Sequence, residues 1–179
     1  MLRHLRVDAP LLAAGAAGVA LAGWPAVAAW AGAAAVLHAW GVASPRSGLY
    51  LPVTWRLPGS GAVHPTYDDG PDPEATPRLL DRLAAAGARA TFFVVGSRVR
   101  AHPGVVRRIH AEGHALGLHS DRHHHAFNLW SAARVEADLR ACAEAVAQAT
   151  GAPPPRWFRP PLGLKNPLVA AAQERGLAV

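Results

Sequence analysis

The sequence predicts an α/β fold, in which helices pack outside a parallel sheet, preceded by an N-terminal apolar helix. Two observations support this prediction. From about residue 62, short β-rich runs alternate with helical patterns, and repeated β-then-α units form parallel sheets. Before them, residues 11–43 contain no Asp, Glu, Lys or Arg, and this run exceeds the ~20 residues that a helix needs to span a bilayer.

The apolar N-terminal segment, residues 1–43, is predicted to be a membrane anchor. Arg3 and Arg6 precede the apolar run, and positive charge before a span favours a cytoplasmic N-terminus. A single span would place the rest of the chain outside the cytoplasm, at the cell membrane. One alternative is a signal peptide cleaved near Ala26-Val27-Ala28, which would release a secreted domain. Another is two short spans broken near Pro25, which would return the domain to the cytoplasm.

Residues 44–61 are rich in Pro, Gly and Ser and are predicted to be a linker with a short strand or hairpin. The domain is predicted at residues 62–179, beginning with a strand at 62–67. Thr76-Pro77 supplies a helix cap and a first-turn proline, and Gly87 ends that helix. The later elements are predicted to be a strand at 90–95, a helix at 103–112, a strand at 115–118, a helix from Ser131 to Gly151, a strand at Trp157-Phe158, a helix from Asn166 to Gly176 and a half-strand at 177–179.

The composition limits the classes of function. A net charge of +6 and a pI near 10.9 raise the question of nucleic acid. The 18 basic residues are scattered, without a basic stripe interleaved with aromatic residues, so nucleic-acid binding is not expected. The single Cys142 excludes an internal disulfide framework. It lies in an apolar helical pattern and is predicted to be a core residue.

Two adjacent carboxylates, Asp68 and Asp69, end the first predicted strand and precede Gly70-Pro71. Neighbouring side chains on a regular strand point to opposite faces. The two carboxylates can therefore reach one site only where the backbone leaves the ladder. One of them can then bind a metal while the other accepts a proton.

His119 and His123 are spaced i and i+4, and on a helical turn two such imidazoles face the same way and can bind one cation. With Asp69 they would form a set of two His and one carboxylate, which leaves a position for water on a catalytic zinc. Asp68 could then take the proton of that water. The alternative is an exposed His-rich patch without a ligand role, because residues 119–125 contain four histidines.

Arg159 precedes two prolines, which fix the local backbone. Its guanidinium could orient Asp68 and favour the charged carboxylate. The alternative is an ordinary loop arginine that anchors a turn. The backbone N–H of Leu162 could face a developing oxyanion, a role that needs no particular side chain.

In this order and spacing, three segments resemble the first three motifs of the polysaccharide deacetylase family, the NodB homology domain of carbohydrate esterase family 4. They are Thr66-Tyr67-Asp68-Asp69-Gly70-Pro71, His119-Ser120-x-x-His123 and Arg159-Pro160-Pro161-x-Gly163. Thr91 to Gly96 is similar to the second strand of the family. The resemblance covers about residues 62–179 and implies a distorted (β/α) barrel, here incomplete.

The resemblance also implies a function. It implies metal-dependent removal of N-acetyl groups from an N-acetylated polysaccharide or oligosaccharide, chitin-like or peptidoglycan-like, at a carbon–nitrogen bond that is not a peptide bond. Zinc is the expected metal, with cobalt and nickel as alternatives. The implied roles are Asp68 as base, Arg159 as its orienting partner, the Leu162 backbone at the oxyanion, and Asp69, His119 and His123 as metal ligands.

The chain departs from the family pattern at three places. Tyr67 stands where Phe is more usual, and Leu162 replaces a common Tyr. The two later motifs of the family, including the Leu-x-His that supplies the catalytic acid, are expected beyond Val179. One alternative is therefore a metal-binding or carbohydrate-binding protein without catalysis. A more distant one is an amidohydrolase that acts on a non-sugar amide.

Overall fold

The protein is described by a computed structural model, which covers residues 3–44, 46–50, 52–54, 61 and 63–174. Four strands and six α-helices lie along these residues, with two consecutive helices between the second and third strands. In chain order they are α1 (Arg3–Ala43), β1 (Thr66–Gly70), α2 (Ala75–Ala85), β2 (Thr91–Val94), α3 (Gly96–Ala101), α4 (Pro103–Ala111), β3 (Ala115–Leu118), α5 (Ala132–Thr150), β4 (Trp157–Phe158) and α6 (Pro167–Glu174), with short 3-10 turns at Phe127–Leu129 and Pro161–Gly163.

The described strands form one parallel sheet in the sequential order β1-β2-β3-β4. β2 lies inside it and is buried along its whole length. Its sequence, Thr-Phe-Phe-Val, is rich in the β-branched and aromatic residues that fit a pleated, covered surface. The predicted α/β organisation with a parallel sheet is confirmed.

Two clusters of buried side chains stabilise the domain. The larger one joins β2 to α2, α3, α4 and α5 through residues such as Leu80, Val94, Ile109 and Val146. Cys142 belongs to this cluster, as predicted, and burial raises the pKa of its thiol to about 12. The smaller cluster joins Tyr50, Phe127, Trp130, Val135, Leu139, Val169 and Ala170.

The bounds of the first strand and helix differ from the prediction. β1 begins at Thr66, because residues 63–65 are not in the ladder, although the Pro65 carbonyl accepts a hydrogen bond from Thr91 N at 3.0 Å. Thr76 lies inside α2 and does not cap it. The Asp72 carboxylate instead accepts from the backbone N–H groups of Glu74 and Ala75, at 2.9 and 2.7 Å.

The helical run of α1 is interrupted at Gly23, whose φ of 69° and ψ of −165° are not helical. Among the described residues, one segment is long and apolar enough to cross a membrane: Gly23–Ala43, with 21 residues and a mean hydropathy of 1.5. Side chains such as Trp24 and Trp40 are exposed on it. The break therefore lies two residues before Pro25.

The residues that follow α1 contact the domain. Tyr50 is 1% exposed within the smaller cluster, and Lys165 Nζ donates to the carbonyls of Ser44 and Ser47 at 2.7 and 2.9 Å. The described parts of the expected linker, residues 44, 46–50, 52–54 and 61, contain no strand. The predicted half-strand at 177–179 and the helix stop at Gly176 lie outside the described residues.

Candidate metal centre and active site

The predicted site residues come together at the carboxyl edge of the sheet. Asp68 and Asp69 lie in the last part of β1, His119 follows β3 directly, and Arg159 follows β4 directly. Open parallel sheets place ligands outside the carboxyl ends of their strands. The position of the site thus follows from the topology.

Three side chains converge on one point in a manner that suits a metal ion. Asp69 Oδ1 lies 3.5 Å from His119 Nε2 and 3.3 Å from His123 Nε2. One donor atom from each of the three residues lies within 4.8 Å of the other two. Bonds of about 2.0–2.2 Å to a tetrahedral zinc separate its ligand atoms by about 3.3–3.6 Å. The donor set and its spacing therefore fit a divalent ion of this size.

The two histidines do not lie on a helical turn, so that part of the prediction is wrong. Residues 119–126 form a loop, in which Ser120 and His123 have φ values of 71° and 46°. The loop is closed by a hydrogen bond of 2.8 Å from His123 N to Ser120 Oγ. Left-handed backbone, rather than helical spacing, brings the imidazoles to centroids 5.0 Å apart.

Asp69 also reaches the metal centre through left-handed backbone. Its φ is 64°, and the pairing of β1 with β2 shifts register between Tyr67 and Gly70. A bulge of this kind re-aims a side chain next to a functional site. The two neighbouring carboxylates therefore share one site while both lie within β1, and not beyond its end as the sequence indicated.

His119 is fixed in the orientation that a metal ligand needs. It is 3% exposed, and its Nδ1 lies 2.7 Å from the carbonyl oxygen of Arg159, to which it donates. This hydrogen bond leaves Nε2 directed at Asp69. Burial lowers the pKa of His119 below its ordinary value, against the opposing effect of that carbonyl and of the nearby carboxylates. The imidazole is thereby kept neutral, the state that binds a metal.

Asp68 is paired with Arg159, as predicted. Arg159 Nη1 donates to Asp68 Oδ1 at 2.7 Å and to Thr66 Oγ1 at 3.0 Å. The guanidinium also lies over the ring of Phe93, 4.1 Å from its centroid. About a third of each charged side chain is exposed, 35% for Arg159 and 37% for Asp68. Asp68 is thus oriented while it remains accessible.

A comparison with known proteins adds to this geometry. The family model described as polysaccharide deacetylase matches residues 57–179. The chain belongs to the polysaccharide deacetylase family.

Two curated relatives of this deacetylase-family chain carry different names. It is similar to a peptidoglycan-N-acetylglucosamine deacetylase of Bacillus cereus, with 38% identity over 126 residues, which are 69% of this chain and 58% of the relative. It is also similar to a chitooligosaccharide deacetylase of Bradyrhizobium sp., with 35% identity over 121 residues, 67% of this chain and 55% of the relative. The chain thus spans somewhat over half the length of these curated relatives.

A solved structure shows the same fold. A family 4 acetyl xylan esterase from Clostridium thermocellum, in complex with a cobalt ion, matches at a TM-score of 0.55 and 33% identity. The match covers 59% of this chain and 51% of that one. This chain of the deacetylase family therefore has the α/β fold of family 4 carbohydrate esterases.

Leu162 lies three residues beyond Arg159, in the 3-10 turn Pro161–Gly163. Its φ is 60° and its side chain is 60% exposed. Asn128 Nδ2 donates to the Pro161 carbonyl at 3.3 Å, which ties this turn to the loop that follows the two histidines. The oxyanion role of the Leu162 N–H stays a prediction.

The sequence alone did not reveal two contacts of the site. One is the Arg159 carbonyl, which orients His119; a main-chain role has no side-chain signature. The other is Arg98, whose Nη1 donates to the Asp69 carbonyl at 2.6 Å. A cavity of about 270 Å³ lies beside it, lined by Tyr67, Asp68, Asp69, Gly70, Asp72, Ala75, Thr76, Leu79, Phe92 and Arg98.

Proposed function

We propose that this chain is the metal-dependent part of an N-deacetylase that releases acetate from N-acetylglucosamine units of a glycan. The observation that supports it best is the pairing of Arg159 with Asp68 at 2.7 Å, directly beside the Asp69, His119 and His123 set. A proton acceptor next to a metal centre is what hydrolysis of an acetamide requires. The name of the Bacillus cereus relative, a peptidoglycan-N-acetylglucosamine deacetylase, supports the N-acetylglucosamine part of the proposal.

Each residue has a distinct role in the proposed reaction. The attacking water bonds to the acetyl carbon and gives a proton to the carboxylate of Asp68, which Arg159 keeps in place. The carbon–nitrogen bond then breaks, the departing amine takes up the proton that the water gave up, and acetate is released. The Leu162 N–H donates to the oxygen of the acetyl carbonyl as negative charge develops there. Asp69, His119 and His123 hold the divalent ion, which when bound supplies Lewis acidity for water and carbonyl.

Zinc is the proposed native ion. Two imidazoles and one carboxylate form a donor set that zinc takes in catalytic sites while a position stays open. The family 4 structure with a cobalt ion supports cobalt as a substitute. Nickel is a further substitute, since imidazole suits it as well.

We also propose an architecture and a location for the protein. The strand order β1-β2-β3-β4 does not reverse, which is the order of a (β/α) barrel and not of a doubly wound sheet. We therefore assign the sheet to a distorted barrel. The apolar segment Gly23–Ala43 supports a membrane anchor, with the domain outside the cytoplasm, where cell-wall glycans lie.

Acetate release from N-acetylglucosamine oligomers, with added zinc or cobalt, tests the function. Asp68→Asn keeps the shape of the side chain but cannot take a proton, so we expect a loss of about 10²–10⁴-fold in kcat/KM. Asp81→Asn is the matched control, because Asp81 is an exposed α2 carboxylate paired with Arg108. Equal acetate release by the wild type and Asp68→Asn would contradict the mechanism.

A second candidate is a metal-binding or carbohydrate-binding protein without turnover. One observation favours it: Asp69, His119 and His123 form a complete ligand set, and such a set can bind an ion whether or not turnover follows. Cobalt binding by the wild type, without acetate release, would support this candidate. Acetate release that requires Asp68 would exclude it.

A further inference from the structure

We propose that α3, the short helix Gly96–Ala101, preorganises the metal centre, with Arg98 and Arg100 as positioning residues. The inference rests on the proposed metal site and assigns residues that act through its ligands. Three residues in the segments that carry the ligands have left-handed backbone: Asp69, Ser120 and His123 all have φ between 46° and 71°. Left-handed conformations in non-glycine residues are costly and persist when their surroundings fix them.

The first contact of α3 is with the segment of Asp69. Arg98 Nη1 donates to the Asp69 carbonyl at 2.6 Å, a charge-assisted hydrogen bond to the residue that leaves regular β geometry. Just before the helix, Val95 N donates to the Gly70 carbonyl at 2.8 Å. Two successive carbonyls at the end of β1 are therefore fixed from the same helix end.

The second contact is with the loop between the two histidines. Gly96 N donates to the Ser120 carbonyl at 3.1 Å, and Ser97 N donates to the Asp121 carbonyl at 2.9 Å. Arg100 Nη2 lies 2.8 Å from the Asp121 carboxylate. The first turn and the side chains of α3 thus bind the loop at consecutive residues.

Asp121 connects α3 and the histidine loop to the rest of the domain. It is 6% exposed, and its backbone N donates to Asp138 Oδ2 on α5 at 2.7 Å. A Cβ at Gly96 would lie 2.2 Å from Asp121 Oδ1 and 2.8 Å from Cys142 Cα. The close approach of α3 to both groups therefore needs glycine at this position.

These contacts assign a function to α3 that its length alone does not suggest. One helix of six residues is hydrogen-bonded to both chain segments that carry metal ligands. Removing a guanidinium should let the ligand backbone relax toward ordinary geometry before metal arrives. Partners of this kind typically contribute 10–100-fold to metal affinity.

The test uses the full chain, purified in detergent micelles, and titrates it with cobalt. Cobalt affinity is read by calorimetry, and the ligand field by the visible absorption bands of the bound ion. We expect Arg98→Met and Arg100→Met each to raise the cobalt Kd by about 10–100-fold and to change those bands, while the melting temperature of metal-free Arg98→Met stays near that of the wild type. Arg98→Lys keeps one donor, so its cobalt Kd should lie between that of the wild type and that of Arg98→Met.

Arg140→Met is the matched control, because Arg140 is an exposed arginine on α5 with one carboxylate partner, Glu136. It should leave the cobalt Kd and the spectrum unchanged. A Kd within twofold of the wild type in both Arg98→Met and Arg100→Met would overturn the inference. A lower melting temperature with unchanged affinity would also overturn it, because the role would then be merely structural.

The outcomes separate this inference from the proposed function. If the wild type binds cobalt and Asp69→Ala does not, the metal centre is supported whatever the arginine variants do. If Asp69→Ala binds cobalt as tightly as the wild type, the metal centre fails and the role of α3 fails with it.

Discussion

Replacing Arg159 by Met should slow the proposed reaction without weakening metal binding. The change removes the 2.7 Å hydrogen bond to Asp68 and the contact with Phe93. A hydrogen bond to a charged group contributes about 1.5–3 kcal/mol. Because about a third of both side chains is exposed, solvent screening favours the lower end of this range. At about 1.4 kcal/mol for each factor of ten, kcat/KM should fall about 10- to 30-fold.

The same variant separates two functions of one residue. The Arg159 carbonyl, which accepts from His119 Nδ1 at 2.7 Å, is retained in Arg159→Met. The cobalt Kd should therefore change by less than about threefold, whereas a lost outer partner typically costs 10–100-fold. Acetate release from N-acetylglucosamine oligomers and cobalt titration are measured on the same preparation. Unchanged kcat/KM, or a loss of metal binding equal to the loss of activity, would show that the Arg159 side chain does not have this role.

Three further predictions concern stability. Burial lowers the pKa of His114 below its ordinary 6.5, so that, as the pH falls, His114 is protonated in the unfolded chain before it is protonated in the folded one. The contribution of His114 to the free energy of unfolding should therefore be constant above about pH 6.5. Below that pH it should fall by up to about 1.4 kcal/mol per pH unit. Denaturation at several pH values measures this slope, which His114→Phe should flatten. Lys165→Met removes the donors to the carbonyls of Ser44 and Ser47 and should lower the free energy of unfolding by about 1–3 kcal/mol. An unchanged melting temperature would contradict this prediction. Gly96→Ala should lower the free energy of unfolding by about 1–3 kcal/mol through overpacking. A urea midpoint equal to that of the wild type would contradict this prediction.

The parts of the fold that could be predicted are those with a periodic or capping signal. β3 was predicted with its observed bounds, and Ser131 caps α5 by accepting from Arg134 N at 3.4 Å. Gly151 ends α5 in a left-handed conformation, φ 70°, as a helix-terminating glycine does. α3 was missed because six residues are too few for a helical pattern, and Val95 before it supplies no side-chain cap.

The chemistry of the site was more predictable than its backbone. Carboxylate and imidazole types at the ends of strands identified Asp69, His119 and His123 as one group, and the structure brings them together. The convergence itself depends on left-handed residues and on a bulge in β1. Such features arise from tertiary contacts, such as those of Arg98, and leave no pattern in the local sequence.

In the proposed function, Asp68 acts as the base of a metal-dependent deacetylase. The most direct measurement is the rate of acetate release from N-acetylglucosamine oligomers by the wild type and by Asp68→Asn, both loaded with zinc and both checked for metal content. We expect equal metal content and a rate at least about 100-fold lower in Asp68→Asn. Equal rates at equal metal content would contradict it.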